Sequence, residues 1–569
     1  MLFLNTNVKG KVVRVFGDLV SVAVDDYALH ILGIRGTYVK ISTKKNRDLI
    51  GIVSNINLLD ELYKQSSGRI SLIESYSDIA LTRNEILVSL LGTISDNGVD
   101  RKIDAIPSPG DIVYPLTKED LEKIFASGDI RIGVLTTMPE IPVKLDVNEL
   151  ATKHAVILAM TGSGKSNALG VILVRILKEF PHARILLIDT HSEYVNLGKR
   201  VSPIKNRTTI YAPIGKFREI LIQEGVEPEL LEIPYWMLTL DEWYSLLGLS
   251  PIATKQRRCF RDALRSVKGE KRINDPIYFD LDELRDAIIR TRNDDLLEKF
   301  DDAIETEEYS FIFYPRRALE IVKNEQIPYN TRIEKLFHHV SEPIFRDGLK
   351  IIALGGLSSD VQNAVVSMLL RTLFRIAIEA KLAGSPIPGL IALEEAHIYA
   401  PKEAYAAAKQ IIEKISKEGR KFGIGLLLVS QRPREISETV LAQCGTLIAL
   451  RTVNPSDQKH IQNSLEDVTS IITNSLPGLG RGEAIISGPA VPIPCVVKID
   501  YFDDVLEIDF SGRIGLGGKD IDFRSEWRKE YSEETLMKVF RRLYGSIQER
   551  EDKEKKDRLS LEKFFSPEE

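Results

Sequence analysis

Between His154 and Asn167 the chain reads HAVILAMTGSGKSN, and this stretch limits the possible folds more than any other. An apolar run, Ala155 to Leu158, enters a loop of small residues that ends in Gly162, Ser163, Gly164, Lys165 and Ser166. A long apolar-periodic segment, Ala168 to Phe180, begins at once. Strand, glycine loop and helix in that order make a phosphate cradle, with backbone N–H groups and a helix N-terminus facing the anion. Thr161, Gly162, Ser163, Gly164, Lys165, Ser166 and Asn167 form the expected nucleotide-binding set, with Lys165 on the β/γ-phosphates of ATP and Ser166 a ligand of Mg²⁺. The usual glycine six residues before the lysine is replaced by Ala159. A turn with negative φ would accept it.

The 569 residues exceed one ordinary core, so several units, or one elaborated α/β domain, are expected. A formal net charge of −6 argues against a wholly basic coat but leaves room for a basic bore inside a ring. Cys259, Cys444 and Cys495 are far apart and lack CxxC spacing, which fits a reducing compartment without structural zinc. The opening MLFLNTNVKGK has no basic leader, and no run was expected to reach the roughly 20 apolar residues of a bilayer span. A cytoplasmic protein with no membrane contact is the resulting expectation.

Residues 1 to 115 read as short alternating strands (KVVRVF, GDLVSVAV, GTYVKIST, IGIVSNIN, ILVSLLGTI) and predict a small N-terminal β-barrel. Its Lys11, Arg14, Lys40, Lys44, Lys45 and Arg47 are either a nucleic-acid surface or the solvated faces of strands. Residues 116 to 214 hold a bridge, with a helix from Thr117 to Phe125, and then the first part of the α/β core. The strand RILLID, Arg184 to Asp189, should bring Asp189, His191 and Glu193 near the nucleotide. His191 is either a chemical group or a loop cap. Residues 215 to 340 lapse into helix-like segments, a helical insertion. Its basic run, Lys255, Arg257, Arg258, Arg261, Arg265, Lys268, Lys271 and Arg272, is either an exposed helix face or a DNA site.

The core resumes over residues 341 to 505, with a strand at Lys350 to Leu354 and an amphipathic helix from Asp360 to Lys381. Leu390 to Leu393 make a buried strand ending in Glu394 and Glu395. Two carboxylates there assign Glu394 to the metal shell and Glu395 to the attacking water. A helix is predicted from Lys402 to Glu418, and the strand Ile424 to Ser430 ends at Gln431, placed to sense the γ-phosphate. Arg420, beyond a helix running away from the nucleotide edge, is either a cation on a helix terminus or a group acting on a neighbouring subunit's phosphate.

GSGKS, IDTHSEY, EEAHIYAP, EGRKFGIGLLLVSQRP, LRTVNPSDQ and LPGLGRGEAIISG together resemble the archaeal HerA branch of the HerA/FtsK superfamily. The resemblance implies an α/β, RecA-like P-loop core with a helical insertion behind a barrel like those of rotary ATP synthases. It implies a homohexameric ring that moves double-stranded DNA, in partnership with a NurA-type nuclease and the double-strand-break nuclease/ATPase complex, in end resection and homologous recombination. Under it, Lys165 and Ser166 correspond to the phosphate and Mg²⁺ contacts, Glu395 to the catalytic glutamate, Gln431 to the sensor and Arg420 to a finger in trans. Family members often carry arginine where this chain has Lys153, which puts a second trans contact in question. Two other classes stay open, a ring ATPase acting on protein or driving secretion, and a rotary-synthase-like subunit. Residues 506 to 569 form a brace and a charged tail. Its Leu561, Phe564 and Phe565 are similar to a peptide that docks on sliding clamps, though packing on the chain's own ring or docking of a nuclease would use the same residues.

Overall fold

The computed structural model describes residues 8–502 and 505, apart from 45–46, 61–81, 96–97, 104, 199–203, 214, 270–272, 325, 327–334, 337–338, 340–346, 384–385, 464–474 and 503–504. All of them belong to one compact unit, Met1–Leu516. Lys45, Lys271, Arg272, Leu561, Phe564 and Phe565 lie outside the described residues.

The N-terminal strands close into a barrel. Leu19–Val24 pairs with Gly10–Phe16, and the order continues through Ile112–Pro115, Tyr38–Ser42, Asp48–Asp60 and Thr82–Ser95, which pairs back onto Leu19–Val24. Closure removes the open edges that a sheet would otherwise expose. Alternation fills the barrel with Val12, Val20, Val22, Val39, Ile41, Val53, Ile86 and Val88, while Lys11 and Arg14 point outward. Lys40 pairs with Asp48 at 3.6 Å. A short helix, Asp26–Leu32, capped by the Asp25 carboxylate, was not legible in the alternating pattern. The barrel is clamped to the core by Arg101, whose guanidinium donates to the carbonyls of Gly488, Val491 and Pro492, and by the Tyr38 hydroxyl on the Pro494 carbonyl at 2.9 Å.

The core is a twelve-stranded sheet. Its parallel part runs, in spatial order, through Glu229–Leu230, Thr208–Ala212, Gly348–Ala353, Arg184–Asp189, Gly389–Leu393, Ile424–Ser430, Ala155–Leu158 and Thr446–Leu450. Antiparallel strands Glu483–Ser487, Cys495–Ile499, Ile130–Leu135 and Pro142–Leu145 extend it. The segment read as a bridge therefore supplies two strands of the main sheet, after a helix, Lys118–Phe125, that Thr117 opens with a capping box.

Ser359–Leu382 corrects one expectation: by length and hydropathy it can span a bilayer. Here 78% of that apolar stretch is buried, between the sheet and the insertion. Glu242 of the insertion, itself buried, takes two hydrogen bonds from Arg371 of this helix and one from Ser367. Around it Tyr235, Trp236, Trp243, Phe260, Phe279, Phe300 and Phe313 form an edge-on and stacked aromatic core.

Two members of the basic run in the insertion are structural. Lys268 is buried and its ammonium donates to the carbonyls of Trp236 and Asp275, each at 2.9 Å. Arg257 lies over the rings of Tyr244 and Tyr405 at 4.3 and 4.7 Å. These two groups are tied into the packing, whereas Lys255 and Arg258 are exposed on the helix surface.

The helix predicted from Lys402 to Glu418 is observed at Lys409–Phe422. Gly419 does not end it, because its missing side chain is needed for packing: a Cβ there would lie 2.5 Å from the Ile424 carbonyl oxygen. Gly423, at φ 78°, is the true C-cap. Arg420 consequently sits in the last helical turn, not after it.

Candidate active site

In a parallel sheet the carboxyl ends of all strands meet one edge. Here that edge collects the P-loop after Leu158, Asp189 at the end of its strand, Glu394 and Glu395 after Leu393, and Gln431 after Ser430. One strand, Ile424–Ser430, separates the P-loop strand from the one bearing the glutamates.

Gly162 and Gly164 take φ 79° and 109°, and the helix Lys165–Glu179 starts at Gly164 with no side-chain cap. Its first amides are left for an anion. Ala159 is buried, and its φ is negative. Thr161 donates its hydroxyl to Gln431 Oε1 at 2.6 Å, joining the loop to the predicted sensor. Ser163 closes the turn by donating to the Met160 carbonyl at 2.6 Å. Asn167 is used differently from the sequence expectation of a nucleotide contact: its amide donates to the Asp500 carbonyl at 3.0 Å and accepts from Phe502 N at 2.8 Å. Its side chain straps the chain leaving the last strand onto the P-loop helix, so only its backbone N–H is left to turn to a phosphate.

Lys165 donates to Glu395 Oε1, and its ammonium lies 4.0 Å from Glu394 Oε1. Glu394 is fully buried, and among the described residues no donor reaches either of its carboxylate oxygens. Burial pushes its pKa well up, and the charges of Asp189 and Glu193 push the same way. Burial likewise raises Asp189 to about 7, against the amides of Glu193 and Tyr194 that donate to it at 2.8 and 2.9 Å. In this buried carboxylate cluster a cation arriving with the nucleotide would satisfy the two orphaned oxygens of Glu394 and relieve the repulsion, while among the described residues no three such side chains are arranged to hold a metal on their own. Ser166, predicted as a ligand, donates to Glu193 Oε2 at 2.7 Å, so Glu193 belongs to this cluster too. The Tyr194 hydroxyl is buried beside it. Beneath the glutamates, Thr190 donates to the Glu394 carbonyl at 2.9 Å and meets Tyr399 OH at 2.9 Å.

His191, between Asp189 and Glu193 in the chain, is exposed. His154, just before the P-loop strand, is buried at φ 55°, accepts from Leu426 N through Nδ1 and donates through Nε2 to the Ser416 carbonyl, both at 3.0 Å. Burial lowers its pKa. This fixes a neutral imidazole as a rivet between strand and helix. Lys153 next to it pairs with Glu149 at 2.6 Å.

Arg420 is not at this edge. It is exposed and lines a groove of about 680 Å³ with Arg184, Gly389 and Ile424, which begin their strands. That is the amino edge of the sheet, a strand length from the P-loop.

Residues 130–373 match the family described as "Helicase HerA, central domain", and residues 364–498 match "Helicase HerA-like C-terminal". The chain is 32% identical over 520 residues to a probable helicase of Methanocaldococcus jannaschii, covering 89% of this chain and 91% of that one. It is 30% identical over 536 residues to the DNA double-strand break repair helicase HerA of Pyrococcus furiosus, with 85% and 91% covered. Among solved structures, VirB4 of Thermoanaerobacter pseudethanolicus aligns with a TM-score of 0.46 at 15% identity, over 66% of this chain and 96% of that one. Its matches to both family models and to relatives at 30–32% identity over most of their length show that the chain belongs to the HerA helicase family of P-loop ATPases.

Proposed function

We propose that this protein is an ATP-driven motor on double-stranded DNA, a translocase or helicase that works as a homohexamer in the cytoplasm. In this reading it serves double-strand break repair by homologous recombination, beside a NurA-type nuclease that resects the ends. The observation that carries the ring is the separation of Arg420, on the amino edge, from Lys165, Glu395 and Gln431 on the carboxyl edge. A single subunit cannot bring both to one phosphate, whereas head-to-tail neighbours can. Relatives named as DNA double-strand break repair helicases support the repair role.

The chemistry follows from the groups present. The amides of Gly162 to Ser166 receive the phosphates, and Lys165 moves from Glu395 to the β/γ oxygens. Glu395, released, orients and deprotonates water, and Gln431 contacts the γ-phosphate. Mg²⁺, held by Ser166 and Glu394 when it arrives with ATP, would neutralise charge on the leaving phosphate. Arg420 of one subunit stabilises the charge developing at its neighbour's site.

The test is the ATPase rate with and without linear duplex DNA, at fixed salt, with an unfolded protein as the competing substrate. Stimulation by duplex alone supports the motor on DNA; stimulation by protein alone favours the protein-remodelling ring.

A further inference from the structure

One member of the EEAH stretch has no task in the site as described. His397 lies on the short helix Ala396–Tyr399, two residues after Glu395, with its side chain mostly shielded. Its Nδ1 is 3.1 Å from Ser430 Oγ and 3.3 Å from Glu395 Oε2. Ser430 ends the strand Ile424–Ser430, and Glu395 lies two residues beyond the adjacent strand Gly389–Leu393. Ser430 Oγ also accepts from Arg432 N at 3.0 Å, which fixes the hydroxyl in place. The next residue, Gln431, holds Thr161. Contacts therefore run from Lys165 through Glu395 and His397 to Ser430, and along the chain through Gln431 to Thr161, back to the loop that carries Lys165.

Glu395 needs such a tether. It sits at φ 47°, ψ 49°, a left-handed conformation that costs a non-glycine residue about 1–3 kcal/mol and persists only where the surroundings impose it. Lys165 holds one carboxylate oxygen in this arrangement, but leaves when it binds phosphate. Among the described residues, His397 is then the side chain still in contact with the carboxylate. Burial holds the imidazole's pKa below its usual value, against the pull of Glu395, in keeping with a neutral ring that has one donor and one acceptor.

We propose that His397 is a positioning residue for Glu395, holding its carboxylate in register with Ser430 and Gln431 so that base and sensor face the same γ-phosphate. The proposal rests on the reading of Glu395 as the base.

The test compares His397→Leu, His397→Asn, Glu395→Gln and the double variant His397→Leu/Glu395→Gln in the assembled full chain. Asparagine places an amide where Nδ1 stood; leucine places nothing polar there. His397→Leu should lose about 10- to 100-fold in kcat, as sub-ångström misplacement does, with the ATP dissociation constant changed less than about twofold. His397→Asn should recover most of that loss. In the Glu395→Gln background the leucine should cost nothing more, because its effect passes through the missing carboxylate. Normal turnover by Glu395→Gln would remove the reading of Glu395 and this proposal with it. An inert Glu395→Gln beside a fully active His397→Leu would remove this proposal alone. Equal losses in the leucine and asparagine variants, or a lost ATP affinity, would also overturn it in favour of a packing role. If the leucine variant does not fold, a His397→Asn variant with kcat as low as Glu395→Gln still overturns it.

Discussion

The ammonium of Lys165 is hydrogen-bonded to Glu395 Oε1, so the phosphate-binding cation and the candidate base occupy each other. In the proposed mechanism ATP breaks this pair, its phosphate charge drawing Lys165 away from Glu395. Removing either partner should then affect different steps. Lys165→Ala should weaken ATP binding and abolish turnover. Glu395→Gln should bind ATP at least as well as the parent while losing roughly 10² or more in rate. Equilibrium binding of a fluorescent ATP analogue, measured with single-turnover hydrolysis, separates the two. Weakened binding in both would contradict the exchange.

Arg420→Ala should leave nucleotide binding intact and lower hydrolysis by up to about 10³, the scale of a charge-stabilising finger. Mixed rings of Arg420→Ala and Glu395→Gln subunits should regain activity at interfaces where an intact glutamate meets an intact arginine. Verified mixed rings with no recovery would return Arg420 to the role of a cation at a helix terminus.

Lys268 gives a pH prediction. Burial, reinforced by the nearby Arg371, lowers its pKa from 10.5 to about 8. Between about pH 8 and 10.5 the unfolded chain binds a proton that the folded chain does not, so Lys268 makes stability rise with pH across that window. The net cost, of the order of 3 kcal/mol, is present below pH 8 even though the ammonium donates to three carbonyls. Urea denaturation of wild type and Lys268→Met at pH 7.5 and 10 should show the wild type gaining on the variant at the higher pH. A constant difference would mean that the lysine stays charged throughout.

Gly170 on the P-loop helix faces Phe502, and a Cβ there would lie 2.7 Å from its ring. Gly170→Ala should cost about 1–3 kcal/mol by overpacking. It should also loosen the strap that Asn167 holds through Asp500 and Phe502. Combining it with Phe502→Leu should cost less than the two changes summed, as contacting sites do. Additive losses in thermal unfolding would place the strain elsewhere.

Local signals were legible wherever the chemistry is carried by short-range geometry. The GSGKS loop, the apolar strands before Asp189, Glu394 and Gln431, and the Thr117 cap are recognisable because strand, turn and cap each need particular residue types within a few positions. The choice between Gly419 and Gly423 as the helix end was not. Both are glycines, and only packing against the Ile424 carbonyl distinguishes a glycine needed for space from one needed for positive φ. Composition likewise showed a basic run in the insertion, but could not tell that Lys268 points inward to three carbonyls while its neighbours stay near the surface.

By itself the sequence determined that this chain binds a nucleotide phosphate with a P-loop in an α/β core behind a β-barrel, because those features are written in local periodicity and turn chemistry. Only the tertiary structure decided that Ser166 pairs with Glu193, that the Asn167 side chain is a strap, and that Arg420 stands on the edge opposite Lys165. Each depends on which strands lie side by side, and strand order is set by burial and pairing between segments tens to hundreds of residues apart, which no local pattern encodes.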